Sequence, residues 1–227
     1  MKTCIRMTGK EFVSFCLMTV MSGIMIGLGG TSSLLANLYI ESLGKLVGAV
    51  LFSFGIYVIV TYEMKLFTGM ISDMPSMGVK NYWKLAVCFI GNTVGVLIVG
   101  LLVSATPLST VATLGSKVIE RKLMMDNWVL SALCSSILCG VLITLSVKSP
   151  TFTKAKGLSA SIGVIFPIIV FAFCGFDHSV ANMLYFFHLG ELNLQVIAYV
   201  LITIVGNILG GVALPLVQKL KTTNPQD

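Results

Sequence analysis

The segment FAFCGFDHSVANM, residues 171–183, places an acid and a histidine together inside a long apolar run. A carboxylate in the middle of a bilayer costs at least about 3 kcal/mol, so we do not expect Asp177 and His178 to face lipid. The Cys174-Gly175 pair just before them indicates that the helix breaks here. A broken helix is tolerated at membrane depth only where protein or water satisfies the freed backbone groups. The segment therefore predicts a substrate pathway.

The composition of the whole chain excludes a soluble protein. Of the 227 residues, 56% are hydrophobic and only 11% are charged, and the mean hydropathy is +0.96. A soluble domain carries about 25% charged residues, so this chain lacks the polar surface that water requires. The net charge of +6 comes from basic residues in the loops rather than on one face. We therefore expect an integral membrane protein whose partners include the lipid bilayer and no nucleic acid.

The six cysteines do not have the spacing of a metal site. Most lie inside apolar runs, where a cysteine usually acts as a small hydrophobic residue. The sequence also lacks a nucleotide-binding motif, so we expect no metal and no cofactor. The cysteines are Cys4, Cys16, Cys88, Cys134, Cys139 and Cys174.

Six charge-poor runs are each long enough to cross the roughly 30 Å of hydrocarbon in a bilayer. They predict an all-α integral membrane fold with six transmembrane helices, forming one channel domain over residues 1–227. Helices 2 and 5 are interrupted, so we expect an aquaporin-like architecture. The runs cover approximately residues 12–35, 46–70, 85–106, 127–147, 157–187 and 192–217.

The basic residues are unevenly distributed between the loops. Lys2, Arg6 and Lys10 precede the first apolar run, as in a signal peptide. The run continues past Gly30 without a small-residue cleavage site, so we expect a retained first span. With a cytoplasmic N-terminus, the cytoplasmic segments hold ten basic residues and the opposite segments hold four. The positive-inside rule then places both termini in the cytoplasm, in a multi-pass protein of the inner membrane of the cell.

Short matches recur in the same order in the two halves of the chain. Each half, about residues 10–106 and 120–218, holds three spans, so the halves enter the membrane in opposite directions. Such a 3+3 inverted repeat places a transport site near the midplane, between two interrupted helices. The matches relate Ile26-Gly27 to Cys139-Gly140, residues 66–70 to residues 179–183, and Gly91-Asn92-x-x-Gly95 to Gly206-Asn207-x-x-Gly210.

The small and polar residues of these matches also have a simpler interpretation. Glycines four residues apart allow helices to approach closely, and we interpret them as packing residues rather than solute contacts. Asn92 and Asn207 are likewise interpreted as bridges between helices.

The first interruption, residues 62–69, contains the other charges inside a span, Glu63 and Lys65. We hypothesise that Lys65 or Glu63, and Asp177, neutralise or hydrogen-bond partners in the break regions, which lowers the cost of burying them. The alternative is that Glu63 and Lys65 lie at a membrane edge and reach water by snorkelling.

His178 is the leading candidate for a functional side chain. A histidine changes charge near neutral pH, so it can lend a proton or a hydrogen bond to a passing weak-acid anion. The N-terminus of a half-helix would add positive potential. The alternative is a neutral histidine that is hydrogen-bonded within the core. Its position beside Asp177 at a helix break favours function, whereas His188 is interpreted as a loop or interface residue.

At the two interruptions the sequence resembles the formate/nitrite transporter family of pentameric anion channels. The resemblance covers nearly the whole chain, and its most specific part lies in the fifth span. The matching residues are Leu66-Phe67-Thr68-Gly69, the segment Gly175-Phe176-Asp177-His178-Ser179-Val180-Ala181-Asn182-Met183, and the two Gly-Asn-x-x-Gly segments.

The resemblance implies a homopentamer with a pore through each protomer. It implies that Thr68 and His178 lie on the two breaks and face each other in a central chamber. Leu66, Phe67 and Phe171 would then lie at or near apolar constrictions on either side. Phe67 and Phe171 have ordinary packing as their alternative role.

Three positions depart from the family pattern. Lys65 stands where family members usually have an acid, and Gly140 stands where an asparagine is common. The basic residue that usually opens span four and draws anions into the outer vestibule falls near Met125, and Lys122 is the nearest candidate. The substrate range of the family includes formate, nitrite, hydrosulfide and short monocarboxylates, and the sequence leaves the choice among them open.

The predicted function is passive or proton-coupled transport of a small monovalent anion or its weak acid. The alternative is a neutral-solute channel of the aquaporin type, which also uses six spans and two half-helices but has Asn-Pro-Ala pairs that this sequence lacks. An enzyme is not expected. Asp177, His178 and Ser179 are adjacent, and adjacent residues point in different directions and do not form the relay of a catalytic triad.

Overall fold

The structure, a computed structural model, describes residues 7–153 and 156–222, and within these ranges the chain is helical with no strand. A short 3₁₀ turn, Val79–Asn81, precedes the fourth α-helix. The helices are α1 (Gly9–Tyr39), α2 (Gly44–Thr61), α3 (Phe67–Ile71), α4 (Trp83–Ser104), α5 (Thr110–Leu123), α6 (Trp128–Thr153), α7 (Leu158–Cys174), α8 (Ser179–Leu189) and α9 (Leu194–Thr222).

Five of these helices, α1, α2, α4, α6 and α9, are long and apolar enough to cross a membrane by themselves. Helices α7 and α8 qualify together as a sixth span, with a bend of 41° at the break between them. Helices suit a lipid environment because every backbone bond is made within the segment. The described part of the chain thus contains five candidate spans, or six if α7 and α8 count as one, at the positions predicted from hydropathy.

Both predicted interruptions are present. Helix α2 ends at Thr61, and the chain resumes as helix α3 only at Phe67. Helix α7 ends at Cys174, and its C-cap Gly175 has a φ of 74°, in the left-handed region that glycine adopts without steric cost. In the first break, Glu63 also has a positive φ, of 52°, but its Cβ atom makes this conformation less favourable than it is for glycine.

Helix α5 was not predicted. It lies in the connection between the third and fourth spans, where the sequence has no apolar run long enough to cross a membrane. Lys117 and Arg121 stand four residues apart in α5, which places them on one helical face. We call the side of the molecule that carries α5 the α5 face, and the side where α1 begins and α9 ends the terminal face.

Glycine sets the closest helix contacts. A Cβ atom at Gly95 of α4 would lie 2.1 Å from the carbonyl oxygen of Val20 in α1. A Cβ atom at Gly210 of α9 would lie 1.9 Å from the carbonyl oxygen of Ile137 in α6. These contacts confirm the packing interpretation of the Gly-Asn-x-x-Gly segments. They hold α4 on α1 and α9 on α6, leaving the two broken spans between these helix pairs.

Candidate functional site

The two breaks meet at a pair of buried side chains. Thr68 Oγ1 and His178 Nε2 lie 2.9 Å apart, although they are far apart in the sequence. Both residues are 1% exposed. Thr68 lies in the short helix α3, and His178 is the N-cap of α8. We call Thr68 and His178 the central pair.

The hydrogen bonds of His178 determine which ring nitrogen carries the proton. Nδ1 accepts a hydrogen bond from the backbone N–H of Ala181 at 3.1 Å, as an N-cap acceptor does. A neutral imidazole with an accepting Nδ1 carries its hydrogen on Nε2. Nε2–H therefore donates to Thr68 Oγ1. The Thr68 hydroxyl hydrogen is then available to another acceptor.

Asn92 in α4 satisfies the backbone freed by the first break. Its Oδ1 accepts from the backbone N–H of Phe67 at 2.8 Å. Its Nδ2 donates to the carbonyl oxygen of Lys65 at 2.9 Å and to that of Thr19 at 2.7 Å. One buried amide thus replaces the helical hydrogen bonds lost at the break, as a membrane interior requires.

Asn207 in α9 makes the same set of contacts at the second break. Its Oδ1 accepts from the backbone N–H of Ser179 at 2.9 Å. Its Nδ2 donates to the carbonyl oxygens of Asp177 and Ser136, each at 2.9 Å. The prediction that Asn92 and Asn207 bridge helices is confirmed, and each also clamps one break.

The charge partner of Asp177 is Lys122, which lies on α5. Asp177 Oδ1 accepts from Lys122 Nζ at 2.7 Å and from Asn182 Nδ2 at 3.0 Å, and the Asp177 side chain is 3% exposed. Lys122 Nζ also donates to the carbonyl oxygen of Gly175 at 3.2 Å. Lys122, the nearest candidate for the basic residue that opens span four, lies in the last turn of α5 and ties that helix to the second break. Asp177 is therefore buried with its charge paired.

Glu63 and Lys65 behave differently from Asp177. Within the part of the chain that the structure describes, neither side chain forms an ion pair. Glu63 is exposed and Lys65 is partly exposed. For these two residues the hypothesis of a neutralising partner is wrong, and the contacts agree with the membrane-edge alternative.

Cavities approach the central pair from both faces. The terminal-face cavity has a volume of about 290 Å³ and is lined by Lys65, Leu66, Lys148 and neighbouring residues. On the α5 face, a cavity of about 610 Å³ is lined by Lys45, Lys117 and Arg121. A smaller cavity of about 90 Å³ shares part of that wall and includes Lys122 and Phe171.

The three predicted constriction residues have different positions. Leu66, 2% exposed, lines the terminal-face cavity, and Phe171, 3% exposed, lines the smaller cavity on the α5 face. The Phe171 ring centroid lies 5.8 Å from that of His178. The Phe67 ring packs edge-on against Phe89 in α4 at 5.1 Å and lines none of these three cavities. For Phe67 the contacts agree with the packing alternative.

Some contributors to the site were missed in the sequence. Asn182 had a signal, because it follows Asp177 within the same charged segment. The sequence also carried a signal for Lys117 and Arg121, because their spacing places both on one face of a helix. The link between Lys122 and Asp177 joins two separate elements, and nothing local in the sequence indicates it.

A model of the family described as "Formate/nitrite transporter" matches residues 1–219. The chain belongs to the formate/nitrite transporter family. A comparison with curated proteins found no match.

Solved structures show that this formate/nitrite transporter shares its fold with known channels. One is described as "FNT family ion channel", with a TM-score of 0.78 and 22% identity, covering 94% of this chain and 92% of that chain. Another is described as "Pentameric formate channel with formate bound", with a TM-score of 0.79 and 20% identity. The match covers 95% of this chain and 99% of that chain. The resemblance stated from the motifs is thus confirmed, and the aquaporin-type alternative is not favoured.

Proposed function

We propose that this formate/nitrite transporter conducts small monovalent anions, or their conjugate acids, through a pathway within each protomer. The observation that carries this proposal is the central pair, which brings two neutral hydrogen-bonding groups to the meeting point of the breaks. Formate is the first substrate to test, because it is bound in the pentameric channel of similar fold. Nitrite, hydrosulfide and short monocarboxylates are the other candidates.

The proposed route connects the cavities on the two faces. An anion is concentrated by the basic wall of the α5-face cavities and loses its water at Phe171. It then reaches Thr68 and His178, and passes Leu66 into the terminal-face cavity. This order is supported by the cavity that each constriction residue lines.

We propose that His178 acts as a hydrogen-bond donor rather than a proton donor. Its Nδ1 already accepts from Ala181 N–H, so adding a proton there would remove the N-cap of α8. Such a cap typically contributes about 1 kcal/mol to stability. A neutral acid crosses an apolar constriction at lower cost than its anion, so any proton coupling would come from a proton that the solute carries.

We also propose that the chain is a 3+3 inverted repeat. The support is the matching pattern of Asn92 and Asn207, each clamping one break to a neighbouring helix. By these contacts Phe67 corresponds to Ser179, one residue away from the sequence match. Close contacts with Asn92 and Asn207 likewise make Gly23, rather than Gly27, the counterpart of Gly140.

The assembly and location are further parts of the proposal. A homopentamer follows the pentameric channel of similar fold. The excess of lysine and arginine on the terminal face favours a cytoplasmic position for that face in the inner membrane. Native mass spectrometry of the purified protein tests the pentamer.

Flux measurements in proteoliposomes test the function. Formate, nitrite, hydrosulfide, lactate and glycerol are supplied separately at two pH values, with empty liposomes as the control. We expect saturable flux of at least one anion and none of glycerol. Glycerol flux without anion flux would support the neutral-solute alternative instead. Uptake that follows an imposed pH gradient would indicate proton coupling.

A further inference from the structure

The terminal-face cavity contains a cation that the proposed route does not yet explain. Four charged residues line this cavity: Glu63, Lys65, Asp73 and Lys148. Lys148 Nζ and Asp73 Oδ1 lie 2.5 Å apart and form an ion pair, so their charges largely cancel. The charges of Lys65 and Glu63 are not cancelled in this way.

Lys65 and Glu63 do not neutralise each other by direct contact. Among the residues that the structure describes, neither side chain takes part in an ion pair, whereas Lys148 pairs with Asp73 and Lys122 with Asp177. Glu63 is exposed, where water screens its charge, whereas Lys65 is partly buried. The ammonium of Lys65 is therefore the cavity cation available to a solute.

The backbone of Lys65 is held in place next to the Leu66 constriction. Its carbonyl oxygen accepts from Asn92 Nδ2 at 2.9 Å and from Cys88 Sγ at 3.2 Å. The next residue, Leu66, is almost fully buried and lines the same cavity. The ammonium of Lys65 thus extends from backbone that is fixed one residue from a constriction, which is a suitable place to hold an approaching anion.

The two breaks differ in charge at matching positions. The carbonyl oxygens of Lys65 and Asp177 both accept from a clamping asparagine. The charge of Asp177 is cancelled by Lys122, but that of Lys65 has no such partner among the described residues. The first break therefore carries an ammonium group without an ion-pair partner among the described residues, whereas the charged group of the second break is paired.

We infer that Lys65 forms an anion-binding subsite on the terminal face, where a small monovalent anion binds before it passes Leu66. This inference rests on the proposed function and deepens it. The subsite affects flux from one face more than from the other. It lowers the anion concentration needed for half-saturation from the terminal face, and salt weakens its effect.

The test uses membrane vesicles of both orientations containing the full chain with a C-terminal epitope. Because α9 ends at the terminal face, protease removes the epitope only where that face is exposed, which identifies the orientation. Initial formate influx is measured into each preparation at low and high ionic strength. The variants are Lys65→Gln, Lys65→Arg, Glu63→Gln and, on the α5 face, Lys117→Gln.

For Lys65→Gln we expect the half-saturation concentration from the terminal face to rise about 3- to 10-fold at low ionic strength. The rise shrinks at high ionic strength, and Lys65→Arg restores the wild-type value. From the α5 face the concentration changes less than about 2-fold. For Lys117→Gln we expect the half-saturation concentration to rise more from the α5 face than from the terminal face. Glu63→Gln lowers the terminal-face value only slightly, because water already screens most of the Glu63 charge. A rise in that value would count against the inference even if Lys65→Gln does not assemble.

An unchanged value in Lys65→Gln, an equal shift from both faces, or a shift insensitive to salt would overturn the inference while leaving the proposed function intact. Wild-type vesicles without saturable flux of any of the candidate anions would instead overturn the proposed function, and the inference with it.

Discussion

His178 has two roles that one substitution can separate. Its Nδ1 caps α8, and its Nε2–H points to Thr68. Asparagine is a good N-cap residue, so His178→Asn keeps the cap but loses the ring that reaches Thr68. The substitution His178→Ala would lose both the cap and the ring. The pair of variants therefore separates permeation from folding.

We expect His178→Asn to retain assembly and to reduce formate flux at least about 10-fold, the equivalent of 1.4 kcal/mol in the barrier. His178→Ala should also lower the thermal midpoint, because the cap is worth about 1 kcal/mol. Flux in proteoliposomes and thermal unfolding in detergent provide the two measurements. Wild-type flux and pH dependence in His178→Asn would rule out a role for the ring.

The Lys122–Asp177 pair gives a second prediction at the residue scale. Lys122→Met leaves a buried carboxylate without its cation, and we expect a loss of at least about 2 kcal/mol. This is less than the value for a fully buried pair, because the Lys122 side chain is 22% exposed. Asp177→Asn should cost less, since an amide oxygen still accepts from Lys122.

A double-mutant cycle checks the pairing. The variant Lys122→Met with Asp177→Asn should be more stable than Lys122→Met alone, because no unpaired charge remains. Thermal unfolding of the four proteins gives the coupling energy. Additive effects would mean that the two side chains act independently.

At the scale of elements, the two asparagine clamps hold the broken spans. Asn92→Asp keeps the acceptor for Phe67 N–H but removes the two donors, which leaves the carbonyl oxygens of Lys65 and Thr19 without them. The carbonyl oxygen of Lys65 then keeps only its bond from Cys88 Sγ, and each lost hydrogen bond costs about 0.5–1.5 kcal/mol. We expect the thermal midpoint to fall by roughly 4–12 °C, and Asn207→Asp to behave in the same way. Ser14→Ala, a change outside the clamps, serves as the control and should leave the midpoint unchanged.

The spans were predictable because hydropathy reports directly on the cost of lipid exposure. The second break was predictable from a glycine at the end of α7, and the first from charges inside an apolar run. Helix α5 was missed because it is too short to span and its signal is amphipathic rather than apolar. The partner of Asp177 was missed for the same reason, since Lys122 lies on α5. The central pair came from resemblance and not from spacing, because no local pattern brings Thr68 to His178.

At the scale of the whole molecule, the two faces differ in their electrostatics. The residues that line the 610 Å³ cavity on the α5 face include Lys45, Lys117 and Arg121 and no acid. The terminal-face cavity balances two bases with two acids. A one-sign wall raises the local concentration of anions, and salt weakens this effect.

We therefore expect the double variant Lys117→Gln with Arg121→Gln to reduce formate influx from the α5 face about 3- to 10-fold at low ionic strength and subsaturating formate. Initial rates in oriented vesicles provide the measurement. Lys10→Gln, near the start of α1 on the terminal face, is the control for a general change in net charge. An equal loss in the control would exclude a local effect of the cavity wall.

The asparagine clamps have a consequence for charge selectivity. Potassium channels and sodium-coupled transporters hold their metal ions with carbonyl oxygens of unwound backbone. Here the carbonyl oxygens of Lys65 and Asp177 are occupied by asparagine amides, and that of Gly175 by the Lys122 ammonium. A dehydrated sodium or potassium ion would have to share each of these three oxygens with a hydrogen-bond donor, so the repair of each helix break also weakens the proposed passage as a site for metal cations.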